Sequence, residues 1–328
     1  MLRLEAGPDP LRHPFKAMGT RVELISAPGT DPHQIEAAAH RVEHMFAAQE
    51  ARFSRFRPES ELCRVNERAG SWVVVSRPFA SLTRVALRAA EETGGLFDPT
   101  VLPALRAAGY DRDFGEVLAR DANPDTVDEE VLAIRRDFRD LLIKDAISCG
   151  AWRDVELRGD RLRLPDGAEL DFGGIAKGWT VDRAIEVIPA LPWAIVDAGG
   201  DLRIAGDAPG GGIDIGIEDP QATGVEALRL RLGTGALATS SVTVRSWGTG
   251  AHHLIDPRTS LPASTGVLQA TVWADTCTQA EVWSKAALLA GPPLLDRVAA
   301  TLVMGSGEIV TSFGAAPVEQ ARTDEVSA

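Results

Sequence analysis

The sequence predicts an α+β protein built mainly from antiparallel sheet, with helices between groups of strands. Several short segments alternate apolar and polar residues, which is typical of strands with one buried face. Short glycine-containing turns separate some of these segments and favour hairpins, which pair antiparallel. A few longer segments instead repeat apolar residues at the spacing of a helix face. This mixture of hairpins and helices indicates the α+β class.

The first half of the chain contains one predicted strand and two predicted helices. Residues 20–26 alternate like a strand, which Met18-Gly19-Thr20 opens. Residues 34–52 are rich in alanine and repeat apolar residues at helical spacing, and a second helix over 78–92 ends at a glycine pair. Residues 116–140 are polar and charged, so we expect an exposed excursion with short helical pieces.

The second half is predicted to contain more strands. Residues 151–172 alternate and indicate a hairpin with a Gly-Asp turn at 159–160. From Gly173 onward the pattern changes, and we expect a helix that opens directly after a strand. The remaining predicted elements are two strands around a glycine pair within 193–206, further strands within 213–220 and 228–241, and a helix from Thr276 to Ala290 that ends at Gly291.

The length of the chain bounds its domain organisation. At 328 residues and 35.0 kDa, it can form two domains or one large domain with two lobes. No linker divides the chain cleanly, and both halves mix strands with helices. Two interleaved lobes are therefore as plausible as two domains. We expect a structured region over residues 14–313, a flexible start over 1–13 and a disordered tail over 314–328.

Charge and hydropathy narrow the range of partners. The chain has 34 Lys and Arg residues against 47 Asp and Glu residues, a net charge of −13. This charge opposes general nucleic-acid binding, although a few local donors can still bind a small phosphorylated ligand. No run approaches the roughly 18 apolar residues of a transmembrane helix, and the start lacks the apolar core of a secretory signal. We expect no nucleic-acid partner, no membrane insertion and a cytoplasmic location.

The cysteines predict neither a disulfide framework nor a zinc site. Cys63, Cys149 and Cys277 stand far apart and form no CxxC pair. We interpret all three as buried apolar fillers.

Glycine-rich and polar patches carry the candidate chemistry. In Leu170–Gly178, glycines before a helix allow backbone N–H groups to approach an anion, and Lys177 adds a positive charge. The patch matches neither standard nucleotide-binding glycine motif, and a tight strand-to-helix turn explains it equally well. His253 fits a general base or a phosphate contact, and equally a surface histidine before an Asp-Pro turn. Of the other patches, Met18–Thr20 is weak evidence by itself, whereas Gly94–Val101 and Ala198–Asp201 each have a plain turn or bulge as the alternative.

Several segments, in order along the chain, carry a resemblance to a known family. After Met-Gly-Thr they are FSRFRPESELCRVN from Phe53, GGLFDPTV from Gly94, LDFGGIAKGWTVD from Leu170, AIVDAGGDLRIAG from Ala194, ALATSS from Ala236, HHLIDPRTSLP from His252 and QAEVWSKAALLAG from Gln279. Together they resemble the ApbE family, the FAD:protein FMN transferases, from Met18 to about Gly291.

This resemblance implies a T-fold-like arrangement of two lobes, each mainly antiparallel sheet with helices, and an FAD cleft between them. It also implies that FAD is cleaved at its diphosphate and that FMN is joined to a Ser or Thr hydroxyl of an acceptor flavoprotein, with release of AMP. Phe56 stands where the family often has Tyr, and His253 matches the histidine that activates the acceptor hydroxyl. The positions that contact FAD in the family carry over to Met18, Phe56, Leu96, Phe97, Asp98, Asp171, Lys177 and Ile255.

The resemblance further implies a Mg²⁺ ion, and here the sequence departs from the family. The expected ligands are a carbonyl near Gly174 and two side chains four residues apart on the last helix, here Glu281 and Lys285. Glu281 offers oxygen, but a protonated lysine has only donors, so we expect weak or absent Mg²⁺ binding. Ser284 is the alternative hydroxyl ligand. Thr278–Glu281 also fits a capping box, which would turn Glu281 back to a backbone N–H.

Three other functions compete with the transferase. A metal-dependent FAD pyrophosphatase would use water in place of the acceptor hydroxyl. A flavin-binding protein would keep the FAD site without turnover, and the lysine at position 285 favours this alternative. A structural scaffold explains the sequence least well, because it does not need the full set of glycine loops.

Overall fold

The structure, a computed structural model, describes residues 10–122, 149–248, 251–314 and 318–320. The chain divides into two compact units. The first comprises Met1–Glu50, Ile175–Ser240 and Gly266–Ala328, and the second comprises Ala51–Gly174 and Ser241–Thr265. The chain alternates between the units, which agrees with the predicted interleaving of two lobes.

Strands and helices both contribute to the fold. The helices are α1 (Pro32–Phe53), α2 (Glu61–Asn66), α3 (Arg77–Glu92), α4 (Leu102–Ala107), α5 (Phe114–Ala122), α6 (Ala176–Glu186) and α7 (Cys277–Ala290). The strands are β1 (Leu11–Ala17), β2 (Thr20–Ser26), β3 (Trp72–Val74), β4 (Glu156–Arg158), β5 (Arg161–Arg163), β6 (Trp193–Ala198), β7 (Asp201–Gly206), β8 (Ile213–Asp219), β9 (Ala222–Leu232), β10 (Gly235–Ser241), β11 (Ser246–Trp247), β12 (Ala251–His252), β13 (Ile255–Asp256), β14 (Leu261–Pro262), β15 (Val267–Ala274), β16 (Ala299–Met304), β17 (Ile309–Ser312) and β18 (Val318–Gln320).

The first unit is organised around an eight-stranded sheet in the order β1-β2-β6-β7-β10-β15-β16-β17. Pairing is antiparallel from β1 through β7 to β10, and from β15 to β17. A second sheet of order β18-β9-β8 is also antiparallel. The α+β class with a large antiparallel sheet is thereby confirmed.

Both faces of the large sheet are covered. Adjacent strand residues point to opposite faces, so Leu24 packs with Val42 and Phe46 of α1, whereas Ile25 clusters with residues of β8 and β9. Residues of α6 and α7 share the cluster of Leu24. The sheet therefore carries helices on one face and the smaller sheet on the other.

A buried carboxylate joins α6 to α7. The Asp182 carboxylate accepts the backbone N–H groups of Cys277 at 2.8 Å and Thr278 at 2.9 Å, and Arg203 donates to it at 2.9 Å. These N–H groups belong to the first turn of α7 and have no partner within the helix. Asp182 thus fixes the start of α7 against α6.

The second unit has two apolar clusters. The rings of Phe53, Phe79 and Phe172 lie 5.3–5.9 Å apart between centroids. A second cluster joins Tyr110 and Trp247 to helix α4, and the Trp247 indole donates to the Ala108 carbonyl at 3.0 Å. The small sheet β3-β5-β4 and the pairs β11-β12 and β13-β14 complete this unit.

Three local predictions are wrong. Met18-Gly19 does not open the first strand but forms the turn between β1 and β2, with positive φ angles of 51° and 67° that suit a two-residue hairpin. The hairpin at 151–172 is shorter than expected, because its strands end at Arg163 and Pro165 begins a turn. The glycine loop therefore follows coil, not a strand.

The capping box predicted at Thr278–Glu281 is also wrong. Helix α7 is capped by Thr276, whose hydroxyl oxygen accepts the N–H of Gln279 at 3.3 Å. Glu281 lies beyond the first turn, where its side chain has other partners. The error has a simple cause. Thr276 and Gln279 have the same three-residue spacing of a capping box as Thr278 and Glu281, but lie two positions earlier, where the helix begins.

The chain ends contain more strand than expected. Residues 11–13 belong to β1, although the sequence predicted a flexible start over 1–13. Residues 318–320, assigned to the tail, form β18 against β9. Helix α5 covers the beginning of the predicted excursion, and residues 123–148 lie outside the described part of the chain.

The cysteines are free where the structure describes them, and only Cys277 is fully buried, so the filler interpretation fits it better than half-buried Cys63 and Cys149. Among the described helices, none combines the length and apolar character needed to cross a membrane.

Candidate active site

The first unit contains a cluster of four charged side chains, Lys177, Asp201, Glu281 and Lys285, here called the charge cluster. Lys177 Nζ donates to Asp201 Oδ2 and, at 3.1 Å, to Glu281 Oε1. Lys285 Nζ lies 3.5 Å from the same Glu281 oxygen and donates to the Glu281 backbone carbonyl at 3.1 Å. The two ammonium groups balance the two carboxylates.

Three elements bring these four groups together. Lys177 lies in the first turn of α6, Asp201 begins β7, and Glu281 and Lys285 are one turn apart on α7. The second oxygen of Glu281 accepts the N–H of Gly178 at 2.8 Å, which ties α7 to the start of α6. A side chain at Gly178 would prevent this approach, since its Cβ would lie 2.5 Å from the Cys277 carbonyl oxygen.

The lysines are the more accessible members of the charge cluster. The side chains of Lys177 and Lys285 are 20% and 16% exposed, whereas those of Asp201 and Glu281 are 3% and 0% exposed. The carboxylates are therefore buried beneath the lysines, and the ammonium groups are the part of the cluster accessible to an anion.

Opposing effects set the pKa values in the charge cluster. Burial disfavours charge on Lys177, but the carboxylates of Asp201 and Glu281 outweigh it and raise the lysine pKa. Burial also opposes charge on Glu281, yet the ammonium groups of Lys177 and Lys285 hold its pKa below the ordinary value. Burial raises the pKa of Asp201, helped by the charge of Glu281, and lowers that of Lys285, helped by the charge of Lys177.

In the second unit, Asp171 shapes the glycine loop predicted to approach FAD. Its Oδ1 accepts the N–H of Gly173 at 2.7 Å, and its Oδ2 lies 3.9 Å from Nε of Arg55. Asn66 holds the preceding residue through two hydrogen bonds to the backbone of Leu170, at 2.8 and 2.9 Å. The loop is therefore held from both sides before any ligand binds.

Both carboxylate oxygens of Asp98 accept hydrogen bonds from backbone N–H groups. One carboxylate oxygen accepts the N–H of Thr100 at 2.7 Å, and the other accepts the N–H of Gly150 at 2.5 Å. Asp98 and the neighbouring Phe97 are buried, whereas Leu96 is half-buried. Ile255 is buried in the cluster of Tyr110 and Trp247. Of these predicted cofactor contacts, Leu96 is the most accessible.

Phe56 presents an aromatic surface. It is 37% exposed, and its ring centroid lies 5.8 Å from that of Tyr110. The guanidinium of Arg55 lies 4.5 Å from the Phe56 centroid and 4.2 Å from the Tyr110 centroid, and it donates to the Tyr110 carbonyl at 2.9 Å. Arg55 thus orients both rings.

The two adjacent histidines differ in chemistry. His252 is buried, Nε2 lies 3.0 Å from the Ala263 carbonyl oxygen, and Nδ1 accepts the N–H of Leu254 at 3.3 Å. Burial lowers its pKa, so His252 is a neutral structural residue. His253 is half-buried, with Nδ1 3.4 Å from the Arg245 carbonyl oxygen. Because a carbonyl only accepts, that contact puts the hydrogen on Nδ1 and makes Nε2 the basic nitrogen.

Met18 belongs to the first unit, where its N–H donates to Glu50 at 3.1 Å. The turn that contains it lies against Gly199, since a Cβ there would be 2.1 Å from the Thr20 hydroxyl. Gly199 and Gly200 both have positive φ angles and lead directly into Asp201. The first glycine patch and the Ala198–Asp201 patch therefore meet in the fold.

Comparisons with known proteins place the chain in a family. It matches the ApbE family over residues 18–304. The chain belongs to the ApbE family. It is 32% identical to the FAD:protein FMN transferase of Treponema pallidum, covering 79% of this chain and 72% of that protein.

Solved ApbE structures share the fold. An ApbE protein from Thermotoga maritima is 28% identical, with a TM-score of 0.76 over 93% of this chain and 97% of that one. The flavin transferase ApbE from Vibrio cholerae, at 23% identity, superimposes with a TM-score of 0.72 over the same shares.

The charge cluster of this ApbE protein does not fit the expected Mg²⁺ site. Both carboxylate oxygens of Glu281 already accept from Lys177 and Gly178, with Lys285 beside them. The Ser284 hydroxyl is buried, with the Ser240 hydroxyl 2.8 Å away and the Glu281 carbonyl 2.9 Å away. Within the described residues, no three His, Cys, Asp or Glu side chains gather as a metal site.

Sequence reasoning missed several residues that organise this ApbE protein. Asp201 was only part of a glycine patch, although it is a buried carboxylate that opens a mostly apolar strand, which is a usable signal of a buried ion pair. Arg55 and Asn66 lie inside the segment that resembled the family, but their partners are distant in sequence. Chain separation hides such contacts, as Asn66 and Leu170 illustrate, because they are 104 positions apart in the sequence.

Proposed function

We propose that this protein is an FAD:protein FMN transferase. The Treponema pallidum relative carries that name. Lys177 carries the proposal in this chain: it holds a partly exposed positive charge in the first turn of α6, directly after the glycine segment. A fixed ammonium there suits the diphosphate of FAD, and in phosphoryl transfer such positioning and charge neutralisation carry the catalysis.

The reaction is a displacement at phosphorus. A Ser or Thr hydroxyl oxygen of the acceptor flavoprotein forms a bond to the phosphorus on the riboflavin side of FAD. The bond from that phosphorus to the bridging oxygen breaks, and AMP leaves. The products are AMP, a proton and an acceptor that carries FMN through a phosphoester.

His253 is the proposed general base. Its Nε2 is the nitrogen able to take the hydroxyl proton when Nδ1 donates to the Arg245 carbonyl. His252 is unsuited to this role because both of its ring nitrogens have backbone partners. The expected FAD contacts are Met18, Phe56, Leu96, Phe97, Asp98, Asp171, Lys177 and Ile255. Among the apolar side chains of this set in the second unit, Phe97 and Ile255 are buried, whereas Phe56 and Leu96 are accessible to solvent.

A non-catalytic FAD-binding protein is the second candidate. This candidate is favoured by the contacts of Glu281 with Lys177, Lys285 and the Gly178 N–H. Both of its carboxylate oxygens already have hydrogen-bond donors and are not free to bind a metal ion. An FAD pyrophosphatase shares the same binding residues and differs only in using water as the acceptor.

One assay separates these candidates. The protein is incubated with FAD and a threonine-containing acceptor protein, with and without Mg²⁺, and AMP, free FMN and protein-bound flavin are measured. AMP with flavin on the acceptor supports the transferase. AMP with only free FMN indicates the pyrophosphatase, and unchanged FAD in both conditions indicates the binding protein.

A cytoplasmic location stays a prediction from the sequence.

A further inference from the structure

The composition of the charge cluster is unusual for this chain. Of its 34 basic residues, 30 are arginines and only four are lysines: Lys16, Lys144, Lys177 and Lys285. Two of those four meet at Glu281, with Nζ atoms 3.1 and 3.5 Å from the same carboxylate oxygen. An ammonium is a compact point charge, whereas a guanidinium is a wide planar fork. The cluster therefore uses the basic side chain that is closest in size to a small cation.

The geometry gives these ammonium groups a defined position. Glu281 is fully buried and also accepts the N–H of Gly178, and Asp201 is held by Lys177 and by the N–H of Thr239 at 3.3 Å. Lys285 is fixed at a second point by the backbone carbonyl of Glu281. The two ammonium groups are thus held in place by the buried carboxylates of Asp201 and Glu281.

We propose that the Lys177 and Lys285 ammonium groups act together as a built-in cation that binds the diphosphate of the substrate, so that this protein handles FAD without a divalent metal ion. The inference rests on the proposed function for the identity of the substrate. Lys285 stands where the resemblance to the family predicts a metal-ligating hydroxyl, and the cluster offers a metal ion no free carboxylate oxygen. Charge-assisted hydrogen bonds from ammonium to phosphate supply the neutralisation that a metal ion gives elsewhere.

Metal binding is the first test and does not depend on turnover. Mn²⁺ is titrated into the wild-type protein, Lys285→Thr and Lys16→Met, each with FAD present, and bound Mn²⁺ is measured by electron paramagnetic resonance. Lys16 is exposed on β1 and provides the control for losing a lysine. We expect no stoichiometric Mn²⁺ in wild type or the control, and at least about tenfold tighter binding in Lys285→Thr, which removes the repelling charge and supplies a hydroxyl. Tight binding in wild type that Lys285→Thr leaves unchanged overturns the proposal.

Ligand affinity is the second test. Flavin fluorescence is titrated with FAD and with riboflavin, which has no phosphate, using wild type, Lys285→Met and Lys285→Arg in the presence of EDTA. We expect Lys285→Met to weaken FAD binding by about tenfold or more, the loss of a charge-assisted hydrogen bond, and to leave riboflavin binding unchanged. Lys285→Arg keeps the charge and shows whether the fold persists. Equal weakening of both ligands, or none for FAD, counts against the proposal.

Turnover separates this inference from the proposed function. AMP release from FAD that proceeds equally in EDTA and in Mg²⁺ supports both. AMP release that requires Mg²⁺ overturns the built-in cation while the transferase stands. FAD binding that depends on Lys285 without AMP release under any condition retains the built-in cation and rejects the transferase.

Discussion

At the scale of single residues, hydrogen-bond partners decide which of two neighbouring histidines can act. His252 and His253 are adjacent and equally plausible from their side chains alone. In the fold, both ring nitrogens of His252 contact backbone groups, of Ala263 and Leu254, whereas the contact of His253 Nδ1 with the Arg245 carbonyl places the hydrogen on Nδ1 and makes Nε2 the basic nitrogen. The difference comes from strand pairing around the turn, not from the histidines themselves.

We therefore expect His253→Ala to lower flavin transfer by about 10²- to 10⁴-fold, the usual contribution of a general base, with little change in FAD affinity. Transfer is followed by flavin fluorescence on the denatured acceptor, and affinity by titration. His33→Ala, at an exposed position of α1, is the control. An unchanged transfer rate in His253→Ala would remove this residue from the mechanism.

Asp171 acts by holding the glycine loop. Replacing it with Ala removes the acceptor for the Gly173 N–H and the nearby charge beside Arg55, so we expect FAD affinity to fall by about tenfold or more. Asp171→Asn keeps an oxygen for Gly173 and loses only the charge, so its effect should be smaller. Flavin fluorescence titration of all three proteins measures both. If Asp171→Ala binds FAD as wild type does, the assigned contact is wrong.

At the scale of elements, the close approach of α6 and α7 builds the charge cluster. The two helices meet at Gly178, whose N–H reaches Glu281, and at Asp182, which caps the first turn of α7. In both places a backbone N–H of one helix donates to a carboxylate of the other. These hydrogen bonds fix the position of α6 relative to α7.

Gly178→Ala should disturb this contact. The added Cβ would lie 2.5 Å from the Cys277 carbonyl oxygen and 2.9 Å from the Thr278 nitrogen, so backbone must move. Overpacking of this kind costs about 1–3 kcal/mol, against roughly 1 kcal/mol gained from helix propensity. We expect a lower melting temperature by calorimetry and weaker FAD binding.

Gly115→Ala is the matched control for this change. Gly115 is also helical, but its Cβ would meet only a side-chain oxygen of Asp113 at 3.3 Å. We expect this variant to be as stable as wild type or slightly more stable. Equal stability of Gly178→Ala and Gly115→Ala contradicts the account of the helix contact.

At the scale of the whole molecule, we expect the half-buried carboxyl of Asp197 to make stability depend on pH. Burial, helped by the charges of Asp201 and Glu23, raises the pKa of Asp197 to about 6, although the Gly200 N–H opposes the shift. A carboxyl with a raised pKa stabilises the fold below its unfolded pKa, and this contribution is lost as the pH rises through the folded value.

Asp197→Asn should therefore remove part of the pH dependence. The amide oxygen can still accept the Gly200 N–H, and no charge develops. Relative to the variant, wild type should lose melting temperature between about pH 4 and pH 6 and then level off. Asp207→Asn, at an exposed position, serves as the control. A constant difference between wild type and Asp197→Asn across this range would show that Asp197 does not titrate there.

The sequence alone determined the local elements and the family. The strands at 20–26 and 193–206, the helix at 34–52 and the last helix were all predictable, because hydrophobic periodicity and turn residues act over a few positions. The ordered motifs identified the ApbE family, and the lysine at 285 already marked a departure at the expected metal site.

Only the tertiary structure decided what the charged residues do. Glu281 fitted a cap or a metal ligand in sequence, but in the fold it pairs with Lys177, 104 residues away, and with Gly178. Asp201, which the sequence showed only as the last residue of a glycine patch, belongs to the same cluster. The pairing of ionised side chains depends on which helices and strands meet, and burial then makes a partner necessary, because an unpaired charge in the interior is far more costly than a paired one.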